Sequence, residues 1–279
     1  MGAPDRYAVI GNPIAHSKSP GIHASFARQT AQNLSYERLL APLDGFPAAV
    51  ERFVREGGRG ANVTVPFKLQ ACALASLLTE RARAAGAVNT LRFDGVSILG
   101  DNTDGVGMVT DITQNAGVAL DGKRILLLGA GGAARGVLLP LLEQQPDQLV
   151  IANRTEAKAA ELASRFAADG RSQVRASGLA SLDGRFDVII NATAASLAAE
   201  LPPIPATVFG PGSFAYDMMY GSAPTVFLHF AQQHGAAVRD GLGMLVEQAA
   251  ESFFVWRGIR PGTAAVYDEL RDELRAGLS

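Results

Sequence analysis

The sequence lacks the features that would cross-link the chain, place it in a membrane or bind it to nucleic acid. Cys72 is the only cysteine among 279 residues, which excludes an internal disulfide and leaves no thiol cluster for zinc, so we expect no metal site. No apolar run approaches the roughly 20 residues that a membrane-spanning helix requires. The formal net charge is −2 and there is no basic stripe, which argues against a nucleic-acid partner.

The amino-terminal segment shows no export signal. MGAPDRYAVIGNP leads directly into a strand-like stretch, without the basic and long apolar regions of a signal peptide. We therefore expect a cytoplasmic protein with no membrane association.

Glycine and apolar residues are abundant. Hydrophobic residues make up 48% of the chain and glycine occurs 30 times, which is typical of an α/β protein with many tight turns. A chain of this length can form two domains, each with its own core.

Strand-like runs alternate with helical patterns over the first hundred residues. β-branched and aromatic runs occupy 7–10, 35–41 and 61–65, and apolar residues recur at helical spacing over 20–29 and 46–56. Strands that alternate with helices predict parallel sheets with binding sites at the carboxyl ends of the strands. Asp94-Gly95 predicts a β-hairpin, and a helix is expected just after Asp104.

A second alternating series begins with KRILLLG at 123–129 and continues through LVIAN, DVIINAT and SFAYDM. Helical patterns follow at 243–256 and 263–277. In the last of these, Val266, Leu270 and Leu274 fall on one face. The prediction is two α/β domains, with a boundary near residue 104.

The turn Gly129-Ala130-Gly131-Gly132 follows an apolar strand and precedes a helix. Glycines let the backbone approach a pyrophosphate, whose charge is favoured at the helix N-terminus, where Ala133 follows. Ala134 replaces the third glycine of the dinucleotide fingerprint, a tolerated variant. The pattern predicts a Rossmann-like nucleotide site.

Asn153-Arg154-Thr155 follows the next strand, where NAD-binding folds carry a carboxylate for the ribose hydroxyls. A guanidinium at Arg154 favours a phosphate on that ribose, and Lys158 adds a second positive charge one helical turn later. Thr155 can cap the helix. We therefore predict NADP as the cofactor.

The first domain carries polar residues near the predicted strand ends. Ser19 followed by Pro20 predicts a helix start with Ser19 as N-cap, and with Ser17 it offers hydroxyls to a carboxylate at the helix N-terminus. In ANVTVPFK, Asn62 and Thr64 share one strand face.

Further candidates lie at the expected binding edge. Lys68 stands just past the carboxyl end of the ANVTV strand, and GAVNT places Asn89 at a similar edge. GDNTDG offers Asp101 and Asp104, either of which can cap a helix.

A series of motifs occurs in order along the chain: GNPIAHSKSP, NVTVPFK, GAVNT, GDNTDG, GAGGAAR, NRT, YDMMY and GLGMLVEQAA. Together they closely resemble the shikimate dehydrogenase family over nearly the whole chain. The resemblance implies a substrate domain formed by 1–104 and 243–279, to which the C-terminal helices return, and a Rossmann-like NADP domain at 105–242. It also implies reversible reduction of 3-dehydroshikimate to shikimate by NADPH, in chorismate and aromatic amino acid biosynthesis. The oligomeric state is open between monomer and homodimer.

The resemblance also implies roles for individual residues. The substrate-binding positions that it implies are Ser17, Ser19, Thr64, Asn89, Tyr220 and Gln248. The two serines and the tyrosine would hold the carboxylate, and the others would bind ring hydroxyls. Lys68 and Asp104 would flank the reacting oxygen, with Lys68 as proton donor or electrostatic clamp.

On the cofactor side, the resemblance places Met218 and Gly241 against the nicotinamide end and Thr193 near the cofactor. Glu80 would approach the nicotinamide from the first domain, and an exposed helical glutamate is the other interpretation of that position.

Two other functions fit the same motifs. One is a quinate/shikimate dehydrogenase linked to NAD, against which Arg154 and serine at both 17 and 19 argue. The other is a non-catalytic NADP-sensing protein, against which the presence of both Lys68 and Asp104 argues.

We predict that Arg154→Asp lowers the preference for NADPH over NADH, because the carboxylate repels the ribose phosphate. Loss of one charge-assisted hydrogen bond weakens binding by roughly 10- to 150-fold. The measurement is kcat/KM with each cofactor, and an unchanged preference would contradict the assignment.

Overall fold

The computed structural model describes residues 2–167, 173–193, 195 and 200–277. The chain forms two compact units. The first consists of Met1–Gly107 and Val246–Leu270, and the second of Met108–Leu245 and Arg271–Leu278. The segment Val246–Leu270 thus groups with the first unit, whereas Arg271–Leu278 groups with the second.

The first unit is built on a mixed six-stranded sheet. Its strands are β1 (Asp5–Gly11), β2 (Leu34–Leu40), β3 (Gly58–Val63), β4 (Leu77–Leu78), β5 (Thr90–Phe93) and β6 (Ile98–Asp101). The accompanying helices are α1 (Ser19–Gln29), α2 (Phe46–Arg55), α3 (Lys68–Leu74), α4 (Glu80–Ala85) and α5 (Asp104–Thr110).

The strand order of this sheet is β2-β1-β3-β5-β6-β4. β1 pairs in parallel with β2 and β3, whereas β5 is antiparallel to both β3 and β6. The prediction of a parallel sheet is therefore wrong for this unit. The reason is the hairpin at Asp94-Gly95, which is confirmed and which reverses the chain between two neighbouring strands; Gly95 has a φ of +90°.

The second unit carries a six-stranded sheet in which every pairing is parallel. Its elements are β7 (Arg124–Leu128), α6 (Gly132–Leu142), β8 (Gln148–Asn153), α7 (Glu156–Ala167), β9 (Gln173–Gly178), β10 (Val188–Asn191), β11 (Phe214–Asp217), α8 (Val226–Gln233) and β12 (Ala237–Asp240). The last helices of the chain are α9 (Leu242–Arg257) and α10 (Ala264–Arg275).

The order β12-β11-β10-β7-β8-β9 is that of the Rossmann fold. It reverses between β7 and β10, and in such sheets ligands bind outside the carboxyl ends of the strands at this reversal. The predicted fold class, α/β with a Rossmann-like unit, is confirmed.

Each unit has its own apolar core. In the first, Phe46 and Phe53 of α2 are buried against the sheet with Phe67, whose ring stacks on Phe46 at 4.9 Å. In the second, apolar residues of β7, β8 and β10 pack with Phe227 of α8. The predicted apolar face of α10 is buried at all three positions, Val266, Leu270 and Leu274.

The helices in the described part of the chain lack the combination of length and apolar character that a membrane crossing requires.

His23 is completely buried in the first unit, inside a group of aromatic rings. Its imidazole stacks on Tyr36 at 4.3 Å and lies 5.3 Å from the ring of Trp256. Burial lowers the pKa of His23 to about 3, against a smaller upward effect of Asn62. The folded protein therefore keeps this imidazole neutral at pH values where an exposed histidine is charged.

We predict that the folded state loses stability through His23 as the pH falls. Below a pH of about 6.5 the unfolded chain binds a proton that the native chain does not bind, so the free energy of unfolding decreases. Between pH 7 and pH 5 this amounts to about 2 kcal/mol. His23→Phe should remove that part of the decrease, whereas replacement of the exposed His229 by Gln should not. Urea unfolding at both pH values measures the free energy of unfolding of each variant. An unaltered pH dependence in His23→Phe would refute the assignment of this loss of stability to His23.

Candidate active site

The sheet of the first unit brings several strand ends to one edge. β1 and β3 run in parallel with Ile10 opposite Val63, so both end at this edge. β5 runs the other way and begins there, with Thr90 opposite Asn62 on β3 and opposite Asp101 on β6. Residues that follow β1, β3 and β6, or precede β5, therefore meet at the same place.

Lys68 and Asp104 form an ion pair at this edge. Lys68 is the first residue of α3, which follows β3, and Asp104 is the first residue of α5, which follows β6. The Lys68 Nζ lies 2.6 Å from Asp104 Oδ2, and the two side chains are 32% and 14% exposed. The pair thus places an ammonium group at the surface of the site, held by a carboxylate that is largely buried.

Asn89 and Gln248 join this pair. Asn89 immediately precedes β5 and is buried. Its Nδ2 donates to Asp104 Oδ1 at 2.8 Å. The same nitrogen lies 3.4 Å from the Oε1 of Gln248 on α9. The structure therefore brings together four of the predicted site residues through direct hydrogen bonds, although they are far apart in sequence.

Three buried hydroxyl groups behind this cluster, those of Thr90, Thr103 and Ser252, were not among the predicted site residues. They lie within hydrogen-bonding distance of one another, with Thr90 Oγ1 2.8 Å and Thr103 Oγ1 3.1 Å from Ser252 Oγ. A usable signal was present for Ser252, which stands four positions after Gln248 and thus on the same helical face.

The two serines lie at the start of α1, but the N-cap prediction is wrong. Ser19 is the first residue of the helix and Lys18 occupies the N-cap position, with no capping hydrogen bond from its side chain. The reason is that Lys18 already has helical backbone angles, φ −84° and ψ −9°. Instead, the hydroxyl of Ser17 accepts the Ser19 N–H at 3.3 Å. Among the described residues, neither hydroxyl bonds the Lys68–Asp104 pair.

Thr64 follows β3 directly and packs against the end of β1. A Cβ placed on Gly11 would lie 2.5 Å from Thr64 Cγ2, so glycine at that position makes room for the threonine. Asn62, which was expected to share a strand face with Thr64, is buried and accepts a hydrogen bond from Tyr36 through Oδ1 at 2.7 Å.

Asp101 has a different role from Asp104, since its carboxylate is buried in an ion-pair network. Arg81 donates to both of its oxygens, at 2.7 and 2.6 Å, and also to Glu251 of α9 at 2.9 Å. Burial alone would raise the pKa of Asp101, but the hydrogen bonds and charge of Arg81 lower it overall. Arg81 thus links Asp101 of the sheet to Glu251 of α9. Glu80, which precedes Arg81, begins α4 and is exposed.

In the second unit, the predicted glycine turn lies at the end of β7. Gly129 has a φ of +108°, and a Cβ there would lie 3.1 Å from the carbonyl oxygen of Ala192. Gly131 and Gly132 lead into α6, and a Cβ at either would meet no atom within 4 Å. Ala130 is buried below them and Ala133 is exposed. An open helix N-terminus at the reversal of strand order is suited to an anion.

The positive side chains lie after β8, the neighbour of β7. Asn153 ends this strand, and its Nδ2 donates to the carbonyl oxygen of Thr155 at 2.9 Å. Arg154, Thr155 and Lys158 are exposed. Two cations therefore lie at the same sheet edge as the glycine turn.

Met218 and Gly241 follow β11 and β12, which are neighbouring parallel strands. A Cβ on Gly241 would lie 2.2 Å from the carbonyl oxygen of Met218, so a side chain is sterically excluded there.

Tyr220, two positions after Met218, is partly buried, and burial together with the charge of Asp240 raises the pKa of its hydroxyl. Its hydroxyl is therefore protonated at neutral pH. Thr193 follows β10, where its hydroxyl donates to Asn191 at 2.7 Å.

Comparison with known sequences decides the family. Residues 9–91 match the family model described as shikimate dehydrogenase substrate binding domain, 111–199 match shikimate / quinate 5-dehydrogenase, and 241–271 match the shikimate 5'-dehydrogenase C-terminal domain. The chain belongs to the shikimate dehydrogenase family.

Other members of this family are similar over almost their whole length. The "Shikimate dehydrogenase (NADP(+))" of Herminiimonas arsenicoxydans is 69% identical over 97% of this chain and 98% of its own. That of Nitrosospira multiformis is 62% identical, again over 97% and 98%.

Two solved structures have the same fold. The Ael1 enzyme from Pseudomonas putida, 50% identical, superimposes with a TM-score of 0.92 over 95% of this chain and 98% of that one. The shikimate 5-dehydrogenase from Thermus thermophilus, in complex with NADP(H) and shikimate, is 32% identical with a TM-score of 0.84, over 97% and 100%.

We predict that Gly241→Ala lowers the free energy of unfolding by about 1–3 kcal/mol, because its Cβ would overlap the main chain at Met218. Gly131→Ala is the matched control, since a Cβ there meets nothing, and should be as stable as the native chain. Chemical denaturation measures both. Equal stabilities of the two variants would show that the contact at Gly241 relaxes without cost.

Proposed function

We propose that the protein is an NADP-dependent shikimate dehydrogenase, which reversibly reduces 3-dehydroshikimate to shikimate in chorismate and aromatic amino acid biosynthesis. The observation that carries the proposal is the Lys68–Asp104 pair, with a 2.6 Å contact, in a chain of this family. An ammonium held beside a bound ketone is the group that such a reduction needs.

The two parts of the chain bind different ligands. Residues 1–104 and 243–279 bind the substrate, and residues 105–242 bind NADP. The polar cluster around Lys68 supports the first assignment. The open glycine turn at Gly131 and the cation at Arg154 support the second.

The nucleotide fits the residues of the second unit. A pyrophosphate needs backbone N–H groups without side chains in the way, and a Cβ at Gly131 or Gly132 would meet no atom within 4 Å. Arg154 and Lys158 supply positive charge for the ribose phosphate that distinguishes NADP from NAD. The remaining positions proposed to contact the cofactor are Gly129, Ala130, Ala133, Asn153, Thr155, Met218, Gly241 and Glu80.

Several polar groups are proposed to hold the substrate. Ser17 and Ser19, at the N-terminus of α1, bind the carboxylate, because a helix N-terminus and hydroxyl groups both favour an anion. Tyr220, whose hydroxyl stays protonated, is a further donor to that carboxylate. The residues proposed to bind ring hydroxyls are Thr64, Asn89 and Gln248.

The chemical step places a negative charge on one oxygen. NADPH, when bound, would supply the hydride for the carbonyl carbon, and the oxygen would take up the C=O electron pair. The Lys68 ammonium stabilises this developing alkoxide and donates a proton to it, which leaves a neutral amine and the alcohol. Asp104 holds the ammonium in place and can accept from the adjacent hydroxyl. General acid catalysis of this kind contributes about 10²- to 10⁴-fold.

The alternatives are not favoured. A quinate/shikimate dehydrogenase that uses NAD would not need cations at Arg154 and Lys158. A non-catalytic NADP sensor would not need a Lys68 ammonium held by a carboxylate at hydrogen-bond distance. The proposal includes a cytoplasmic location, with which the single cysteine is compatible, and a monomeric or homodimeric state.

The test is to mix the purified protein with NADPH and 3-dehydroshikimate. Steady loss of NADPH absorbance supports the dehydrogenase, and faster turnover with NADH and 3-dehydroquinate would support the quinate enzyme. Binding of NADPH without turnover would support the sensor.

We predict that Lys68→Ala lowers kcat about 100- to 1,000-fold but raises the dissociation constant of shikimate less than about tenfold, since it removes the proton donor. Lys123→Ala is the control, because Lys123 precedes β7 at the opposite edge of its sheet. Steady-state kinetics and calorimetric titration with shikimate separate the two effects. Equal losses in kcat and binding would reduce Lys68 to a binding residue.

A further inference from the structure

Asn89 links the Lys68–Asp104 pair to the buried hydroxyl groups behind it. Its Oδ1 accepts the main-chain N–H of Thr103 at 2.9 Å and the hydroxyl of Thr90 at 2.8 Å. Its Nδ2 donates to Asp104 Oδ1 at 2.8 Å. A main-chain N–H can only donate and an ionised carboxylate can only accept. These contacts therefore fix which end of the amide faces Asp104.

Thr90 contributes a buried hydroxyl that contacts both Asn89 and Asn62. The residue is completely buried, and its Oγ1 lies 3.2 Å from the Nδ2 of Asn62, which can only donate. The Asn62 amide is itself oriented, because Nδ2 also donates to the carbonyl oxygen of Asn89 at 3.2 Å while Oδ1 accepts from Tyr36. The contact of Thr90 Oγ1 with Asn89 Oδ1, at 2.8 Å, can only be made by donation of the Thr90 proton, because an amide oxygen only accepts.

Ser252 restricts this hydroxyl further. Its Oγ lies 2.8 Å from Thr90 Oγ1 and accepts from Asn62 Nδ2 at 2.9 Å. All three residues are buried. A buried polar group that lost its hydrogen-bond partner here would have no water molecule to replace that partner. Thr90, Ser252 and Asn62 therefore hold one another in one orientation.

We propose that Thr90 is a positioning residue for catalysis: its hydroxyl fixes the Asn89 amide, which in turn orients Asp104 and with it the Lys68 ammonium. The proposal rests on the proposed function, in which Lys68 protonates the reacting oxygen. Rotation of the amide by half a turn would set its oxygen against the carboxylate and its NH2 group against the Thr103 N–H. Both contacts are repulsive, and the Thr90 hydroxyl raises the cost of that rotation.

The test compares Thr90→Val, which replaces the hydroxyl by a methyl group of similar size, with Thr90→Ser, which keeps the hydroxyl. In Thr90→Val we expect kcat for shikimate oxidation to fall roughly tenfold, since small displacements of catalytic groups have effects of this order or larger. The KM for NADP should stay within about twofold. Thr90→Ser should restore kcat to within about twofold of the native value.

A double-mutant cycle separates positioning from a general loss of stability. In an Asn89→Ala background, Thr90→Val should lower kcat by less than about twofold further, because the group that it orients is already gone. Full additivity of the two losses would overturn the proposal. Thr30→Val is the control for loss of a threonine hydroxyl, since that hydroxyl donates to the Phe26 carbonyl of α1. It should leave kcat unchanged.

A crystal structure of Thr90→Val tests the positioning independently of activity. We expect the Asn89 Nδ2–Asp104 Oδ1 distance to lengthen beyond hydrogen-bonding range or the amide to turn over. An unchanged Asn89 and Asp104 would overturn the proposal even if kcat fell. If the native protein does not turn over shikimate, the proposed function fails, and this structure still decides whether Thr90 positions the pair.

Discussion

Both oxygens of the Asp104 carboxylate are engaged, Oδ2 by the Lys68 ammonium and Oδ1 by the Asn89 amide. Each oxygen of this largely buried carboxylate therefore has its own hydrogen-bond donor. The reversal of the chain in the β5–β6 hairpin makes this arrangement possible, since it places the start of β5 beside the end of β6. The proposed chemistry therefore depends on the mixed topology of the first sheet.

The charged groups near the two proposed sites are arranged differently. In the first, the charged groups around the site are matched internally, as in the network of Arg81, Asp101 and Glu251, which is largely buried. At the glycine turn of the second, Arg154 and Lys158 are exposed, and a Cβ at Gly131 or Gly132 would meet no atom within 4 Å. Paired charges hold a fixed geometry for proton transfer, whereas exposed positive charge is suited to an anionic ligand.

Helices, strands and turns were predictable from the sequence wherever residues close together along the chain determine the local structure. The hairpin follows from Asp94-Gly95, and the buried face of α10 follows from the spacing of Val266 and Leu270. Local chemistry was insufficient at the start of α1, where the backbone becomes helical one residue before Ser19. The family, too, followed from the motifs. The buried hydroxyls of Thr90 and Thr103 did not, because threonine is exposed in most proteins and nothing in the local sequence marks these two as buried.

The sequence by itself determined the alternation of strands and helices, the glycine turn and the cation beside it, because these depend on residues close together along the chain. The local pattern did not separate Asp101 from Asp104, for which only the resemblance implied a role at the site, and the tertiary structure gives the two aspartates different partners. Asp101 is bonded to Arg81, which also bonds Glu251, 170 positions further along, while Asp104 is bonded to Lys68 and Asn89. Hydrogen bonds are short and directional, so they select partners by position in space, and that position is set by strand pairing and helix packing.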